Sequence, residues 1–129
     1  MEQITVIIER GSDGIFTAVP QHNYKVGFFG SGKTVEAAKK DLANSWCEAK
    51  AYLPELPEFE YNFKYDTASF LQLYSRYLTL TGLQEITGVN HRQLSRYLTG
   101  RSKPTRQTAE RIQHGVSNFT ARMSQTAFV

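Results

Sequence analysis

The segment from Ile86 to Pro104 restricts the fold more than any other part of this 129-residue chain. Gly88 is suited to the left-handed backbone conformation that turns a chain sharply after a helix, because glycine has no Cβ to clash. Asn90 is a favourable N-cap, since its side-chain oxygen can accept hydrogen bonds from the free amides of a first helical turn. Leu94 and Leu98 then recur at helical spacing. The segment therefore predicts two short helices joined by a tight turn.

The second of these helices is expected to expose polar and basic side chains on the side opposite its leucines. A helix start that is rich in hydrogen-bonding side chains is what contact with base edges in the DNA major groove requires. We therefore predict binding to double-stranded operator DNA, with Asn90 starting the helix and with basic residues beyond it anchoring the DNA backbone. The predicted base or phosphate contacts are His91, Arg92, Gln93 and Arg96, and the predicted backbone anchors are Arg101, Lys103 and Arg106.

The spacing of apolar and turn residues resembles the Cro/repressor-like helix-turn-helix family. The residues that carry the resemblance are Leu83, Gly88, Val89, Leu94 and Leu98, followed by the loop Thr99-Gly100-Arg101. The sequence departs from the family at Gln84, where a small residue is usual, and at Gly82 inside the preceding helix. Two helices joined by a glycine turn also occur as ordinary packing units, so a purely structural helix pair is the alternative.

Charge is distributed unevenly along the chain, whose formal net charge is +3. Residues 1–62 contain six Lys or Arg and nine Asp or Glu, a net charge of −3. Residues 63–129 contain nine Lys or Arg and three Asp or Glu, a net charge of +6. We therefore predict two modules with different partners, divided after residue 62. The basic module suits DNA phosphates, although RNA or an acidic protein would suit it as well.

The first module has the sequence pattern of a small α+β domain. Segments rich in β-branched or aromatic residues predict strands at about 4–8, 15–19 and 25–29. Thr34 is expected to cap a helix that runs to about Tyr52, in which apolar residues recur at helical spacing. Aromatic and polar residues then alternate from Phe59 to Tyr65, which predicts a half-exposed fourth strand. The predicted order is β-β-β-α-β, a sheet covered by one helix.

The segment Gly32-Lys-Thr34-Val-Glu36-Ala37, at the entry to this helix, resembles the HicB antitoxin domain, although Ala37 replaces one acidic residue of the usual pattern. The resemblance implies a partial ribonuclease-H-like fold for the first module and an all-α helix-turn-helix domain for the second. It also implies an antitoxin that represses its own gene and blocks a HicA-like ribonuclease toxin. One alternative is a stand-alone transcription regulator whose first module dimerises or binds another partner. An RNA-binding module is a further alternative.

The segment Gly27-Phe-Phe-Gly-Ser-Gly-Lys33-Thr34 also matches the phosphate-loop pattern of nucleotide-binding proteins. Such a site requires a parallel sheet and a second strand that ends in a metal-binding aspartate. No apolar run ending in aspartate follows, and a module of about 60 residues is too small for an ordinary nucleotide-hydrolase domain. The segment is therefore predicted to form a turn followed by a helix N-cap.

The sequence contains no recognisable catalytic or metal-binding set, so we expect no enzymatic activity, no cofactor and no bound metal. The histidines lack the i, i+4 spacing of a helical metal pair. Asp13, Asp41 and Asp66 are expected in a turn, on a helix and after a strand, each without a second carboxylate nearby in sequence to share a metal.

The single cysteine, Cys47, lies in a helical pattern beside Trp46, and we expect it to be a reduced packing residue in a cytoplasmic protein. No apolar run is long enough to span a bilayer. The last helix, from about residue 105 to residue 125, carries an apolar stripe, and the default expectation is that it packs inside its own domain. Its distal end, around Phe119, Met123 and Phe128, extends beyond what a minimal domain needs and offers a surface for a second subunit. We therefore predict a homodimer, with either the sheet edge or this terminal helix as its interface.

Overall fold

The computed structural model describes residues 2–24 and 26–129. Within these residues the chain forms four strands and five helices, and the predicted α+β class is confirmed. The strands are β1 (Glu2–Arg10), β2 (Phe16–Pro20), β3 (Gly30–Gly32) and β4 (Phe59–Tyr65). The helices are α1 (Val35–Tyr52), α2 (Thr67–Tyr74), α3 (Leu80–Thr87), α4 (His91–Leu98) and α5 (Arg106–Ser124).

The chain divides into two compact units, Met1–Leu73 and Tyr74–Val129. The predicted division after residue 62 lies inside β4. The observed division comes later because α2 up to Leu73 belongs to the first unit, where the Gln72 side-chain oxygen accepts from the Val35 amide at 2.7 Å. In the described ranges, no helix is both long and apolar enough to cross a lipid bilayer.

The four strands form a mixed sheet in the order β3-β2-β1-β4. β2 is antiparallel to both β1 and β3, whereas β4 is parallel to β1. Parallel neighbours cannot be joined by a hairpin, and the crossover to β4 contains α1. This helix buries one apolar stripe (Val35, Ala38, Leu42, Trp46 and Ala49) in a core shared with β1 and β2. The order of elements is the predicted β-β-β-α-β, with Thr34 as the N-cap of α1.

The third strand differs from its prediction at 25–29. Lys25 lies outside the described residues, 26–29 are not in a strand, and β3 is Gly30–Gly32. A Cβ on Gly30 would overlap with the carbonyl oxygen of Ala38 and the amide nitrogen of Leu42. The strand thus packs on α1 through its bare backbone, so no β-branched or aromatic residue marks it. Phe28, which helped to suggest the predicted strand, is instead a core side chain supplied by the loop.

Two burial expectations on helices are also corrected. Cys47 is exposed, because Trp46 points into the core and the next residue is rotated by about 100° around α1. In α4, Leu94 is buried as expected, but the second buried side chain is Tyr97, whereas Leu98 is only half-buried. The core of the second unit consists of Leu83, Val89, Leu94, Tyr97 and Ile112.

Candidate nucleic-acid interface

The turn between α3 and α4 is fixed by local hydrogen bonds. Gly88 ends α3 with a φ of 75°, and its amide donates to the Gln84 carbonyl at 2.7 Å. This left-handed conformation is the one that favours glycine. The buried hydroxyl of Thr87 donates to the Leu83 carbonyl at 2.7 Å and accepts from the Val89 amide at 3.1 Å. The amides of Gly88 and Val89 therefore both have hydrogen-bond partners as the chain leaves α3 and enters the turn.

The start of α4 is capped twice. The side-chain oxygen of Asn90 accepts from the Arg92 amide at 2.8 Å, as predicted for an N-cap. The Gln84 side-chain oxygen accepts from the His91 amide at 2.8 Å and lies 2.9 Å from the Nδ1 atom of the His91 ring. The first amides of a helix have no partner within the helix. Gln84, the residue that departs from the Cro/repressor-like pattern, therefore has a specific role in joining α3 to α4.

Helix α5 contacts both the turn and the end of α3. The Arg111 guanidinium donates to the Gly88 carbonyl at 2.9 Å. Further along α5, a Cβ on Gly115 would lie 2.5 Å from the Ile86 carbonyl oxygen and 2.8 Å from Thr87 Cα. Since real Cβ atoms do not come so close to backbone atoms, glycine at 115 is what allows α5 to approach α3. A glycine inside a long predicted helix was the available sequence signal for this close approach.

The exposed face of α4 carries two arginines. Arg92 and Arg96 are exposed, whereas Leu94 between them is fully buried. At about 100° per residue, Arg92 and Arg96 lie about 40° apart around the helix, on the side opposite Leu94. In the part of the chain that the structure describes, neither guanidinium takes part in an ion pair. Both charges are therefore available to an anionic partner.

The side chains of three other predicted contact residues, His91, Gln93 and Arg106, already have partners within the chain. The ring of the exposed His91 lies against Gln84, as described above. Gln93 is half-buried, and its amide donates to the Ser102 hydroxyl at a long 3.5 Å. Arg106 is exposed and pairs with Glu110 one turn later, at 3.1 Å. Such exposed i, i+4 pairs are weak, so a phosphate could displace Glu110.

Arg101 and Lys103 are exposed in the loop after α4. The loop turns at Gly100, which has a φ of 77°, and the Arg101 amide donates to the Arg96 carbonyl at 2.9 Å. The loop backbone is thus tied to the end of the helix that carries the exposed arginines. Residues 74–129 contain eight Lys or Arg and two Asp or Glu, a net charge of +6. The second unit as a whole is therefore strongly basic, and Arg101 and Lys103 contribute exposed positive charge next to α4.

The acidic and phosphate-loop candidates of the first unit are engaged in local structure. Asp13 accepts from the Ile15 amide at 3.0 Å, and Asp66 accepts from the Ser69 amide at 2.9 Å. Asp41 accepts from the Ser31 amide at 2.9 Å, so this amide of the phosphate-loop-like segment is not free to bind a phosphate. Among the described residues, no group of three or more His, Cys, Asp or Glu is placed to hold a metal ion.

Comparison with known proteins assigns the chain to no family. No family model, no curated protein and no solved structure matches the chain. The resemblances to the HicB and Cro/repressor-like families therefore depend on the short motifs quoted above.

Proposed function

We propose that the chain is an antitoxin-type transcription regulator, whose second unit binds operator DNA through α4. The observation that carries this proposal is the pair of exposed arginines, Arg92 and Arg96, on one face of a helix whose start is capped by Asn90 and Gln84. A guanidinium can donate two hydrogen bonds to the major-groove edge of guanine, which contributes about 1–3 kcal/mol of discrimination between bases. The exposed face of α4 thus combines positive charge with the means to read a sequence.

The basic residues after α4 extend the proposed contact. Arg101, Lys103 and Arg106 are exposed and would bind phosphates on either side of the groove. His91 and Gln93 lie on the first turn of α4, where recognition helices of this type present side chains to base edges. Regulators of this kind usually bind as dimers to two half-sites, and we propose a homodimer here as well.

For the first unit we propose binding to a small basic ribonuclease toxin of the HicA-like class. Two features support this: the β-β-β-α-β order of its strands and first helix, and a net charge of −3 over residues 1–73, which contain seven Lys or Arg and ten Asp or Glu. An acidic surface attracts a basic partner and speeds its association. Co-purification with the product of a short adjacent gene that encodes a basic protein would test this part of the proposal.

A stand-alone transcription regulator is the second candidate function. The open edge of β4 favours it, because a free strand edge can serve dimerisation without any toxin. Failure to find a toxin, together with intact operator binding, would decide for this candidate.

DNA binding is tested by fluorescence anisotropy or gel shift with the DNA upstream of the chain's own gene. We expect Arg92→Ala and Arg96→Ala each to weaken specific binding by about tenfold or more, as loss of an arginine–guanine contact does. Arg76→Ala is the matched control, since Arg76 is an exposed arginine of the same unit outside α3, α4 and the following loop. Binding that is absent at low salt, or that falls equally in all three variants, would contradict the assignment of α4.

The loop residues are distinguished from the helix residues by salt dependence. A side chain that contacts only phosphate weakens binding to all sequences and lowers the slope of log K against log salt by about 1. We expect this behaviour for Lys103→Ala. Arg92→Ala and Arg96→Ala should instead reduce the difference in affinity between operator and unrelated DNA.

A further inference from the structure

Strand β4 lies at one edge of the sheet, where its outer side is open. The Asp66 amide donates to the Ile8 carbonyl at 3.0 Å, which fixes the direction of the backbone groups at the end of β4. Because these groups alternate along a strand, the even-numbered residues face β1 and the odd-numbered residues face the open edge. Within the described residues, β4 pairs with β1 alone. A second strand could therefore pair with the backbone of residues 59, 61, 63 and 65.

The side of β4 that faces α1 carries a row of four aromatic side chains. These are Phe59, Tyr61, Phe63 and Tyr65, all half-buried, with neighbouring ring centroids 6.4, 5.8 and 6.4 Å apart. The Lys39 ammonium lies 4.2 Å from the centre of the Phe63 ring and donates to the Tyr65 hydroxyl at 2.6 Å. The row therefore leaves apolar ring surface uncovered beside the open edge, and exposed hydrophobic surface of this kind often marks an interaction site.

The opposite face of β4 carries Glu60, Asn62 and Lys64, all exposed. The sequence of the strand, Phe-Glu-Tyr-Asn-Phe-Lys-Tyr, is symmetric in character about Asn62. If two copies pair antiparallel about this residue, Glu60 of each copy lies opposite Lys64 of the other. The same register brings the two aromatic rows together, with Tyr61 opposite Phe63. The strand is thus complementary to itself in both charge and apolar surface.

The symmetric register is favoured over its neighbours. A shift that places Asn62 opposite Glu60 brings Lys64 opposite Glu58, which precedes β4 and already pairs with Lys50. The reverse shift places Asn62 opposite Lys64 and brings Glu60 opposite Asp66, a like-charge pair. A shift by one residue would bring backbone groups of the wrong parity to the shared edge. In the symmetric register Glu60 and Lys64 form non-hydrogen-bonded pairs, the class in which opposite side chains are closest.

We propose that two copies of the chain associate through their β4 edges, antiparallel about Asn62, and so form one continuous sheet across a two-fold axis. A two-fold interface uses the same patch on both subunits, as this strand provides. The proposal specifies the interface of the homodimer included in the proposed function. It does not depend on DNA binding, since association is measured on the full chain without DNA.

The test is a charge exchange across the interface, followed by sedimentation velocity or light scattering at several protein concentrations. We expect a dimer for the unmodified chain, and a dimer dissociation constant raised by about tenfold or more in Glu60→Lys and in Lys64→Glu, because each places like charges opposite each other. The double variant Glu60→Lys/Lys64→Glu should regain the original affinity. An equimolar mixture of the two single variants should form a heterodimer, because both of its charge pairs are then opposite in sign.

Lys40→Glu is the control, since Lys40 is an exposed lysine on α1 and the variant has the same net charge as Lys64→Glu. Circular dichroism establishes that each variant is folded. A monomer at all concentrations, or a dimer that is unchanged in both single variants, would overturn the proposal. So would a dimer that is lost in Phe119→Ser and kept in the charge variants, since that result places the interface on α5. In each of these cases the DNA-binding measurements on Arg92→Ala and Arg96→Ala still decide whether α4 contacts DNA.

Discussion

The side chain of Gln84, on α3, caps the helix that begins at His91. Its amide oxygen, Oε1, accepts from the His91 backbone amide at 2.8 Å and lies 2.9 Å from the Nδ1 atom of the His91 ring. The relative placement of α3 and α4 is therefore fixed by polar contacts as well as by the buried Leu83 and Leu94.

Gln84→Ala is expected to destabilise the second unit by about 1 kcal/mol, the usual cost of losing a helix cap. Gln84→Glu should retain the stability, because a carboxylate also accepts from the amide and is favourable at a helix N-terminus. Thermal unfolding followed by far-UV circular dichroism measures both. Gln107→Ala, at an exposed position of α5, is the control. Equal stability of Gln84→Ala and this control would show that the cap contributes nothing.

The elements that sequence reasoning located well are those defined by local chemistry. Thr34 and Asn90 cap their helices as predicted, and Gly88 ends α3 in the left-handed conformation. Each of these interactions spans only a few residues, so the residue types themselves indicate it. Strand β4, with its strict alternation, was located at Phe59–Tyr65 for the same reason.

The features that sequence reasoning missed depend on contacts between distant residues. The bond from Arg111 to the Gly88 carbonyl spans 23 positions, and nothing local distinguishes Arg111 from the exposed basic residues near it. The predicted position of β3 was wrong because the backbone of this strand, and not its side chains, packs on α1, so no side-chain pattern marks it. The partner strand of β4 and the register of the sheet likewise follow from tertiary packing.

Gly115→Ala is expected to destabilise the second unit by about 1–3 kcal/mol, as overpacking of a tight contact does. The added methyl group would lie 2.5 Å from the Ile86 carbonyl oxygen, which forces α3 and α5 apart. The sign of the change in stability is informative, because in an isolated helix alanine is more favourable than glycine by about 1 kcal/mol. Helix propensity alone would therefore make Gly115→Ala stabilising. Thermal unfolding by circular dichroism measures the effect, with Ser117→Ala on the exposed side of α5 as control. A more stable Gly115→Ala protein would mean that α3 and α5 do not approach so closely.

Alkaline pH is expected to destabilise the first unit through Tyr61. Burial, with a smaller contribution from the charge of Cys47, raises the pKa of this phenol above its ordinary value of 10.0. The folded state therefore holds the proton more tightly than the unfolded state, and stability is lost as the pH rises from the unfolded pKa through the folded one. The free energy of unfolding in urea, followed by Trp46 fluorescence, is compared at about pH 8 and about pH 10.5. Tyr61→Phe cannot ionise and should lose less stability over this interval; an equal loss in both proteins would exclude the contribution of Tyr61.

Two glycine substitutions distinguish the observed packing of residues 27–34 from a phosphate loop. Gly30→Ala is expected to destabilise the first unit by about 3 kcal/mol, because the added Cβ would overlap with backbone atoms of Ala38 and Leu42 on α1. Gly27→Ala should change the stability by no more than about 1 kcal/mol, since a Cβ there has no neighbouring atom within 4 Å. The phosphate-loop pattern assigns the opposite importance, because Gly27 is its first required glycine and position 30 is unrestricted in it. Urea unfolding followed by the fluorescence of Trp46, the single tryptophan and a residue of the same core, measures both variants. A tolerated Gly30→Ala beside a disruptive Gly27→Ala would contradict the packing of β3 on α1.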